Sequence, residues 1–105
     1  MTKITYNVAE FSLLLNGHAG YAPAGQDIVC AGISALIQTV PQSLRSRGIR
    51  YFLDLGEPEG HVSIKAFPAV EQRYPCMVIF ETIAEGFKLL AENYPDYVEY
   101  TKEAK

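Results

Sequence analysis

The spacing of the apolar residues changes abruptly in the first half of this chain. From Phe11 to Leu15 they alternate with a period of two, which is typical of a strand with one face on the core. From Asp27 to Val40 they recur every three or four residues, as in a helix. Asp27 is a favoured N-cap residue, and Pro41 is expected to end the helix, although residues 42–46 could add a turn. The stretch therefore predicts a strand, a loop and a helix.

This arrangement brings one histidine and one cysteine toward each other. His18 follows the strand, and Cys30 is the third residue of the predicted helix. A helix start offers unpaired amide donors and the positive end of the helix dipole, and both favour a thiolate over a thiol. His18 could serve as general base, or as the imidazolium partner of that thiolate. The pair is compatible with a cysteine nucleophile, although a cysteine on a partly apolar helix is more often a small buried side chain.

Three neighbouring residues could support or orient this site. Gly17 could let the backbone approach closely, or could simply end the strand. Ser34 lies one turn after Cys30 on the same helical face, where its hydroxyl could orient a neighbour or bond the preceding turn. Asp27 could orient His18, but the helix cap is the favoured interpretation. Each of these residues thus has a structural alternative to its functional role.

The loop between histidine and helix is rich in small residues. Ala19, Gly20, Tyr21 and Gly25 could form a substrate-gating loop over an extended peptide, or an ordinary connection. Tyr21 could line a pocket for an apolar substrate side chain, or cover the core.

The helix itself raises two further expectations about the site. Gly32 inside it costs about 1 kcal/mol relative to alanine, which close packing of another backbone beside Cys30, from the sheet or from the substrate, would explain. An oxyanion could be stabilised by the amide of Cys30 and an unidentified loop amide.

The rest of the chain predicts a single α+β domain over residues 1–105. Thr2 to Val8 should pair with the strand that precedes His18, and two alternating runs, Ile49 to Leu55 and Val62 to Ala66, flank a turn at residues 56–60. A second helix is expected from Pro75 to Asn93. The predicted fold is a four-stranded, mainly antiparallel sheet in the order hairpin, helix, hairpin, helix, covered by two main helices.

Other residues of this second half receive structural interpretations. Residues 94–101 could form a last edge strand, and Lys102 to Lys105 should be frayed. His61 is expected to be a surface histidine beside a turn, and Cys76 to be a packing residue.

Composition narrows the class of protein. A chain of 105 residues is small enough that dimerisation would help bury apolar surface. A net charge of -3 gives no reason to propose direct nucleic-acid or membrane binding. Two cysteines without a signal peptide indicate reduced thiols in the cytoplasm. No zinc-ligand spacing or phosphate-binding glycine motif is present, so neither a metal nor a cofactor is expected.

At the residues of this site the sequence resembles the ribosomal-processing cysteine protease family, Prp. The shared pattern is a Gly-His-Ala triplet, a short glycine-containing loop, Asp-Ile-Val-Cys-Ala, and a serine four residues after the cysteine. In this chain Gly17–Ala19, Gly25, Asp27–Ala31 and Ser34 carry it. The likeness returns at Glu85–Phe87 and Leu90–Tyr97 and is looser in between.

The resemblance implies a small bacterial endopeptidase, homodimeric, with Cys30 as nucleophile and His18 as base. It implies as substrate the precursor of the twenty-seventh large-subunit ribosomal protein, whose short amino-terminal extension the family removes after a phenylalanine pair. The segment 7–10 is short and Pro75 falls at the start of the last helix, which opens the alternative of a mobile-element relative with another protein substrate. A catalytically silent ribosome-assembly or peptide-binding protein, and a redox-responsive thiol protein, are the rivals from other classes.

Overall fold

Five strands and two long helices alternate along the chain in the computed structural model, which describes residues 1–56 and 60–104. Their order is β1 (Thr2–Asn7), β2 (Ser12–Asn16), α1 (Ile28–Ser46), β3 (Arg50–Asp54), β4 (Val62–Phe67), α2 (Arg73–Asn93) and β5 (Val98–Glu103), with a 3-10 turn at Val70–Gln72 before α2. The turn expected at residues 56–60 lies in part outside the described residues.

The first hairpin is confirmed by the pairing of β1 with β2. The two strands are antiparallel, with Ile4 opposite Leu15 and Tyr6 opposite Leu13. These four apolar side chains are buried, because alternate residues of a strand point to the same face of the sheet. The hairpin therefore places its end, at Asn16, beside the core face on which the helices pack.

The sheet has five strands and is mixed, so the expectation of a four-stranded, mainly antiparallel sheet is wrong. In space the order is β3-β4-β2-β1-β5, and β5 runs parallel to β1, with Thr2 opposite Val98. The amide of Thr2 donates to the carbonyl of Tyr97 at 2.9 Å, which sets this register. The strand extends to Glu103, so Lys102 and Glu103 are paired in the sheet and not frayed.

Both helices differ from the expected boundaries at a proline. Helix α1 continues through Pro41 to Ser46, so residues 42–46 do add a turn. The proline removes one backbone hydrogen bond, but burial of Val40, Pro41 and Leu44 on one stripe of the helix outweighs that loss. Helix α2 begins at Arg73, two residues before the expected start. Pro75 lies in its first turn, where the backbone N–H has no intrahelical acceptor in any case.

The two helices pack against each other as well as on the sheet, with a glycine of each facing a leucine of the other. A methyl group on Gly32 would lie 3.7 Å from the two methyl carbons of Leu90, which is an ordinary contact. A methyl group on Gly86 would lie only 3.0 Å from those of Leu36. The expectation that a backbone of the sheet packs closely on Gly32 is therefore wrong, because a side chain of α2 lies there with room for a methyl group.

We predict that Gly32→Ala stabilises the protein and that Gly86→Ala does not. Alanine in a helix interior is favoured over glycine by about 1 kcal/mol, and only at position 32 can the helix gain this without displacing a neighbour. Urea unfolding of both variants, followed by circular dichroism, measures the difference. A Gly32→Ala variant less stable than the wild type would contradict the packing described.

Candidate active site

A cleft of about 680 Å³ opens where the loop after β2 meets the start of α1. It contains both His18 and Cys30, the two residues that the sequence singled out. The other residues that line it come from the loop and the first two turns of the helix: Gly20, Ala22, Ala24, Gly25, Gln26, Asp27, Ile28, Ala31 and Ser34. The cleft is open to solvent along the loop, so it can admit a segment of polypeptide.

His18 is held at the mouth of this cleft by backbone on two sides. Gly17, immediately before it, has φ +91, and a Cβ there would collide with the carbonyl oxygen of Met1. The hydroxyl of Thr2 donates to the carbonyl of Gly17 at 3.2 Å. On the other side Gly60 packs against the ring, since a Cβ on it would lie 3.1 Å from Nε2 of His18. Gly17 thus meets its expected role of allowing close backbone approach.

Cys30 is the third residue of α1 and is partly buried. Its amide donates to Oδ1 of Asp27 at 2.9 Å, which completes the N-cap. The amide of Cys30 is therefore engaged, contrary to the expectation that it stabilises an oxyanion. The amides of Ile28 and Val29, in the same turn, have no hydrogen-bond partner among the described residues. These two are the free donors at this helix start.

The carboxylate of Asp27 organises both the helix start and the loop. Its Oδ2 accepts from the amides of Tyr21 at 3.0 Å and Ala22 at 3.3 Å, while Oδ1 holds Cys30. The Cys30 amide, followed by those of Ala22 and Tyr21, lowers the pKa of this carboxyl below its usual range; loss of water contacts opposes the shift in part. The side chain of Cys30 also helps to lower this pKa. The three hydrogen bonds resolved within 3.5 Å are all to backbone amides, which supports the cap interpretation.

Ser34 lies one turn below Cys30 and lines the same cleft. Its hydroxyl makes no hydrogen bond to a described residue, whereas the hydroxyls of Thr39 and Thr82 bond the carbonyl four residues earlier, at 2.7 Å each. The expected structural alternative for Ser34, a bond to the preceding turn, is therefore absent from the described part of the chain. The hydroxyl is free to meet a group in the cleft.

A smaller cavity of about 160 Å³ adjoins both His18 and Cys30. Its walls are mostly aliphatic, with Leu15 and Val62 from the sheet and Ile33 and Ile37 from α1; Thr2, Gly17, Ser34 and Gly60 complete it. An apolar side chain placed beside the cysteine would fit these surroundings.

The four residues expected to gate the site do not share one environment. Gly20 and Gly25 line the cleft, whereas Ala19 is buried. The ring of Tyr21 stands edge-on against Tyr94 and Tyr97, with ring centroids 5.6 and 5.2 Å apart. Tyr21 thus fastens the loop to the C-terminal segment and does not line the cleft.

Sequence reasoning missed two residues just before β4, the strand next to β2, that contact the site or its neighbours. Gly60 touches the His18 ring, and His61, expected to be a plain surface histidine, bonds Asn16 through Nδ1 at 2.6 Å. The pairing of Leu15 with Val62 would have revealed both, because counting outward from it aligns Asn16 with His61. The remaining cysteine, Cys76, is fully buried, and burial raises its pKa to about 11, as suits a packing residue.

Metal ligands and membrane spans were sought in the same part of the chain. No group of three or more His, Cys, Asp or Glu residues suited to hold a metal ion occurs within residues 1–56 and 60–104. Neither of the described helices is long and apolar enough to cross a membrane.

Comparison with known proteins identifies the family. The model of the family described as cysteine protease Prp matches residues 1–99. The chain belongs to this family. The ribosomal processing cysteine protease Prp of Bacillus subtilis is 30% identical over 94 residues, covering 86% of this chain and 83% of that protein. The protein of the same name from Mycoplasma genitalium is 29% identical, with 96% and 97% covered.

Solved structures show that the Prp fold extends over the whole domain. The crystal structure of an essential ribosomal processing protease Prp from S. aureus, with a covalently linked product peptide, superposes with a TM-score of 0.85 at 20% identity and covers 98% of this chain and 100% of that one. A second structure of that protein, with a substrate peptide, gives a TM-score of 0.78 at 19% identity, covering 98% and 100%. The five-stranded sheet and two helices are thus the Prp fold.

We predict that Asp27→Asn lowers the melting temperature near neutral pH, and that the difference from the wild type shrinks in acid. The native pKa of Asp27 is lowered, so its carboxylate stabilises the fold at pH values above the ordinary aspartate range. That contribution is lost as the pH falls through the lowered native pKa. Thermal melts at pH 7 and pH 3 measure the difference. An equal difference in melting temperature between the variant and the wild type at both pH values would show that the charge of Asp27 contributes nothing to the cap.

Proposed function

We propose that this protein is a cysteine endopeptidase in which Cys30 is the nucleophile and His18 the general base and acid. The observation that carries the proposal is that one open cleft contains both side chains, with Cys30 in the first turn of α1. The membership of the chain in a family of cysteine proteases supports the same chemistry.

In this mechanism the Cys30 thiolate attacks the carbonyl carbon of the scissile peptide bond. The developing oxyanion is stabilised by amide donors, for which those of Ile28 and Val29 are available at the helix start. His18 then donates its proton to the leaving amine, and a thioester to Cys30 forms. Water, deprotonated by His18, hydrolyses the thioester and restores the thiolate.

The substrate that we propose is the precursor of the twenty-seventh large-subunit ribosomal protein, cut after a phenylalanine pair in its amino-terminal extension. Relatives along nearly the whole chain are named ribosomal processing proteases, which supports a ribosomal protein as substrate. The aliphatic cavity beside Cys30 suits an apolar side chain next to the scissile bond. This function places the protein in the cytoplasm.

The loop from Gly20 to Gly25 is proposed to gate this site. Its two glycines line the cleft, while Tyr21 is attached to Tyr94 and Tyr97, so movement of the loop would widen the cleft without unfolding the helix.

We predict that Cys30→Ala abolishes cleavage of a peptide that copies the ribosomal extension. His18→Ala should lower kcat on the order of 10²- to 10⁴-fold, which is the usual contribution of a general base. Mass spectrometry identifies the bond that is cut. Cys76→Ala is the matched control, since it makes the same chemical change at the buried cysteine and should leave kcat unchanged.

The outcomes separate the proposal from its rivals. Cleavage that persists in Cys30→Ala would refute the nucleophile. If the folded wild type binds the peptide in a titration but does not cut it, the protein is a silent binder. If it neither binds nor cuts the peptide, another substrate is indicated. A redox role is disfavoured because Cys76, the other cysteine, is fully buried and does not line the cleft.

The quaternary structure that we propose is a homodimer formed through the free edge of β3. Within residues 1–56 and 60–104 this strand pairs only with β4. Phe52 in it is 63% exposed, and Leu55 just beyond it is 71% exposed. An exposed apolar edge strand is a template for pairing with another chain. Antiparallel pairing of two copies about Phe52 aligns Arg50 with the partner subunit's Asp54, twice, and opposite charges across strands each contribute roughly 0.2–1 kcal/mol.

We predict that Asp54→Arg and Arg50→Asp each weaken the dimer, because either change places like charges opposite each other. The double variant Arg50→Asp/Asp54→Arg should regain dimer affinity, because it again places opposite charges at the facing positions 50 and 54. Analytical ultracentrifugation measures the dissociation constant. Glu99→Lys on β5, the opposite edge of the sheet, is the control. A monomeric wild type, or singles with unchanged association, would rule this interface out.

A further inference from the structure

The pairing of β2 with β4 continues beyond the two strands as far as the catalytic histidine. The last pair of the ladder is Leu15 with Val62. At the next position the contact is between side chains: Nδ1 of His61 lies 2.6 Å from Oδ1 of Asn16. The acceptor is an amide oxygen, so His61 donates from Nδ1, as it can in its neutral Nδ1–H tautomer and in its cationic form. The bond joins residues 45 positions apart in the sequence.

One position farther along, the backbone of Gly60 lies against the residue that precedes His18 and against the imidazole itself. A Cβ on Gly60 would be 3.3 Å from the carbonyl carbon of Gly17 and 3.1 Å from Nε2 of His18. Gly60 has φ +90, a conformation that glycine adopts without strain. The ring of His18 therefore rests on a surface that only a glycine can provide.

The opposite side of this peptide is fixed by the start of β1. Thr2, which is buried, donates its hydroxyl to the carbonyl of Gly17, and the carbonyl of Met1 occupies the space where a Gly17 side chain would be. This side is held by a buried residue of β1. The position of His18 depends also on Gly60 on the other side, and among the described residues the side-chain hydrogen bond between His61 and Asn16 joins the segment of Gly60 to β2.

We infer that the His61–Asn16 hydrogen bond is a clamp that positions His18 for proton transfer, with His61 and Asn16 as positioning residues. The inference rests on the proposed function of His18. A displacement of about 1 Å in a reacting group can cost on the order of 10²-fold in rate, so a clamp at this point has a kinetic effect without touching the substrate. Neither His61 nor Asn16 lines a cavity that contains Cys30, so the two side chains act through Gly60 and His18, and kcat is expected to change more than KM.

The test compares three variants with the wild type in peptide cleavage. His61→Ala removes the donor and is expected to lower kcat about 10- to 100-fold with KM within twofold. His61→Asn retains an N–H donor near the position of Nδ1 and is expected to recover most of kcat. Lys65→Ala is the matched control. It removes a 3.1 Å bond between the side chains of Lys65, in β4, and Glu10, away from His18, and it is expected to leave kcat and KM unchanged.

A second variant keeps the inference testable if His61→Ala does not fold. Asn16→Ala removes the acceptor from the other strand and should lower kcat by a similar factor. The double variant should be no worse than either single, because one bond is lost in all three. Unchanged kcat in both singles, additive losses in the double variant, or a loss that His61→Asn does not repair would each overturn the clamp.

A measurement that needs no substrate separates this inference from the proposed function. Imidazole nitrogen NMR of the wild type and His61→Ala, with His18 assigned by substitution, reports the surroundings of the His18 ring. The clamp requires that its signals shift in His61→Ala and return in His61→Asn. If the wild type cuts no peptide, the proposed function fails while this test still stands; if the signals do not move, the clamp fails alone.

Discussion

The site depends on the hydrogen bonds that one carboxylate makes to three backbone amides. Asp27 begins α1, fixes Cys30 at the third position of that helix, and draws in the loop at Tyr21 and Ala22. A charged acceptor is well suited to this, because bonds from backbone N–H to a carboxylate are stronger than neutral ones. The amides of Ile28 and Val29 in the same turn have no partner among the described residues and are available to an outside acceptor. The helix start, Cys30 and the loop thus have one common anchor.

The histidine is positioned by contacts of a different kind. Cys30 is placed by residues within three positions of itself, whereas His18 is placed by Met1 and Thr2 and by Gly60, which precedes the neighbouring strand β4. Such contacts between distant segments exist only after β1, β2 and β4 have paired. The cleft therefore becomes competent only in the folded sheet, although the helix start alone can orient the cysteine.

This difference explains how much the sequence could predict. The first hairpin, the cap at Asp27 and the approach of His18 to Cys30 follow from local periodicity and capping, and the structure has them. The parallel pairing of β5 with β1 does not follow, because it depends on where α2 returns the chain, and no local pattern in residues 98–103 encodes a partner. The helix continues past Pro41, its expected end, for a related reason: burial of Val40 and Leu44 outweighs the one hydrogen bond that proline removes. The contact of Gly60 with His18 required the register of β2 with β4, which alternation alone leaves open.

The C-terminal segment restrains the loop for which a gating role is proposed. Tyr21 attaches this loop through edge contacts with Tyr94 and Tyr97, which follow α2 and precede β5. Pairs of this geometry contribute about 0.5–1.5 kcal/mol each beyond buried area, and the exposure of Tyr21 reduces that value. The amides of Tyr21 and Ala22 add two hydrogen bonds to Asp27, so the proposed opening of the loop must break these bonds as well as the ring contacts. Because Asp27 is bonded to Cys30 through its other oxygen, such an opening would leave Cys30 in position.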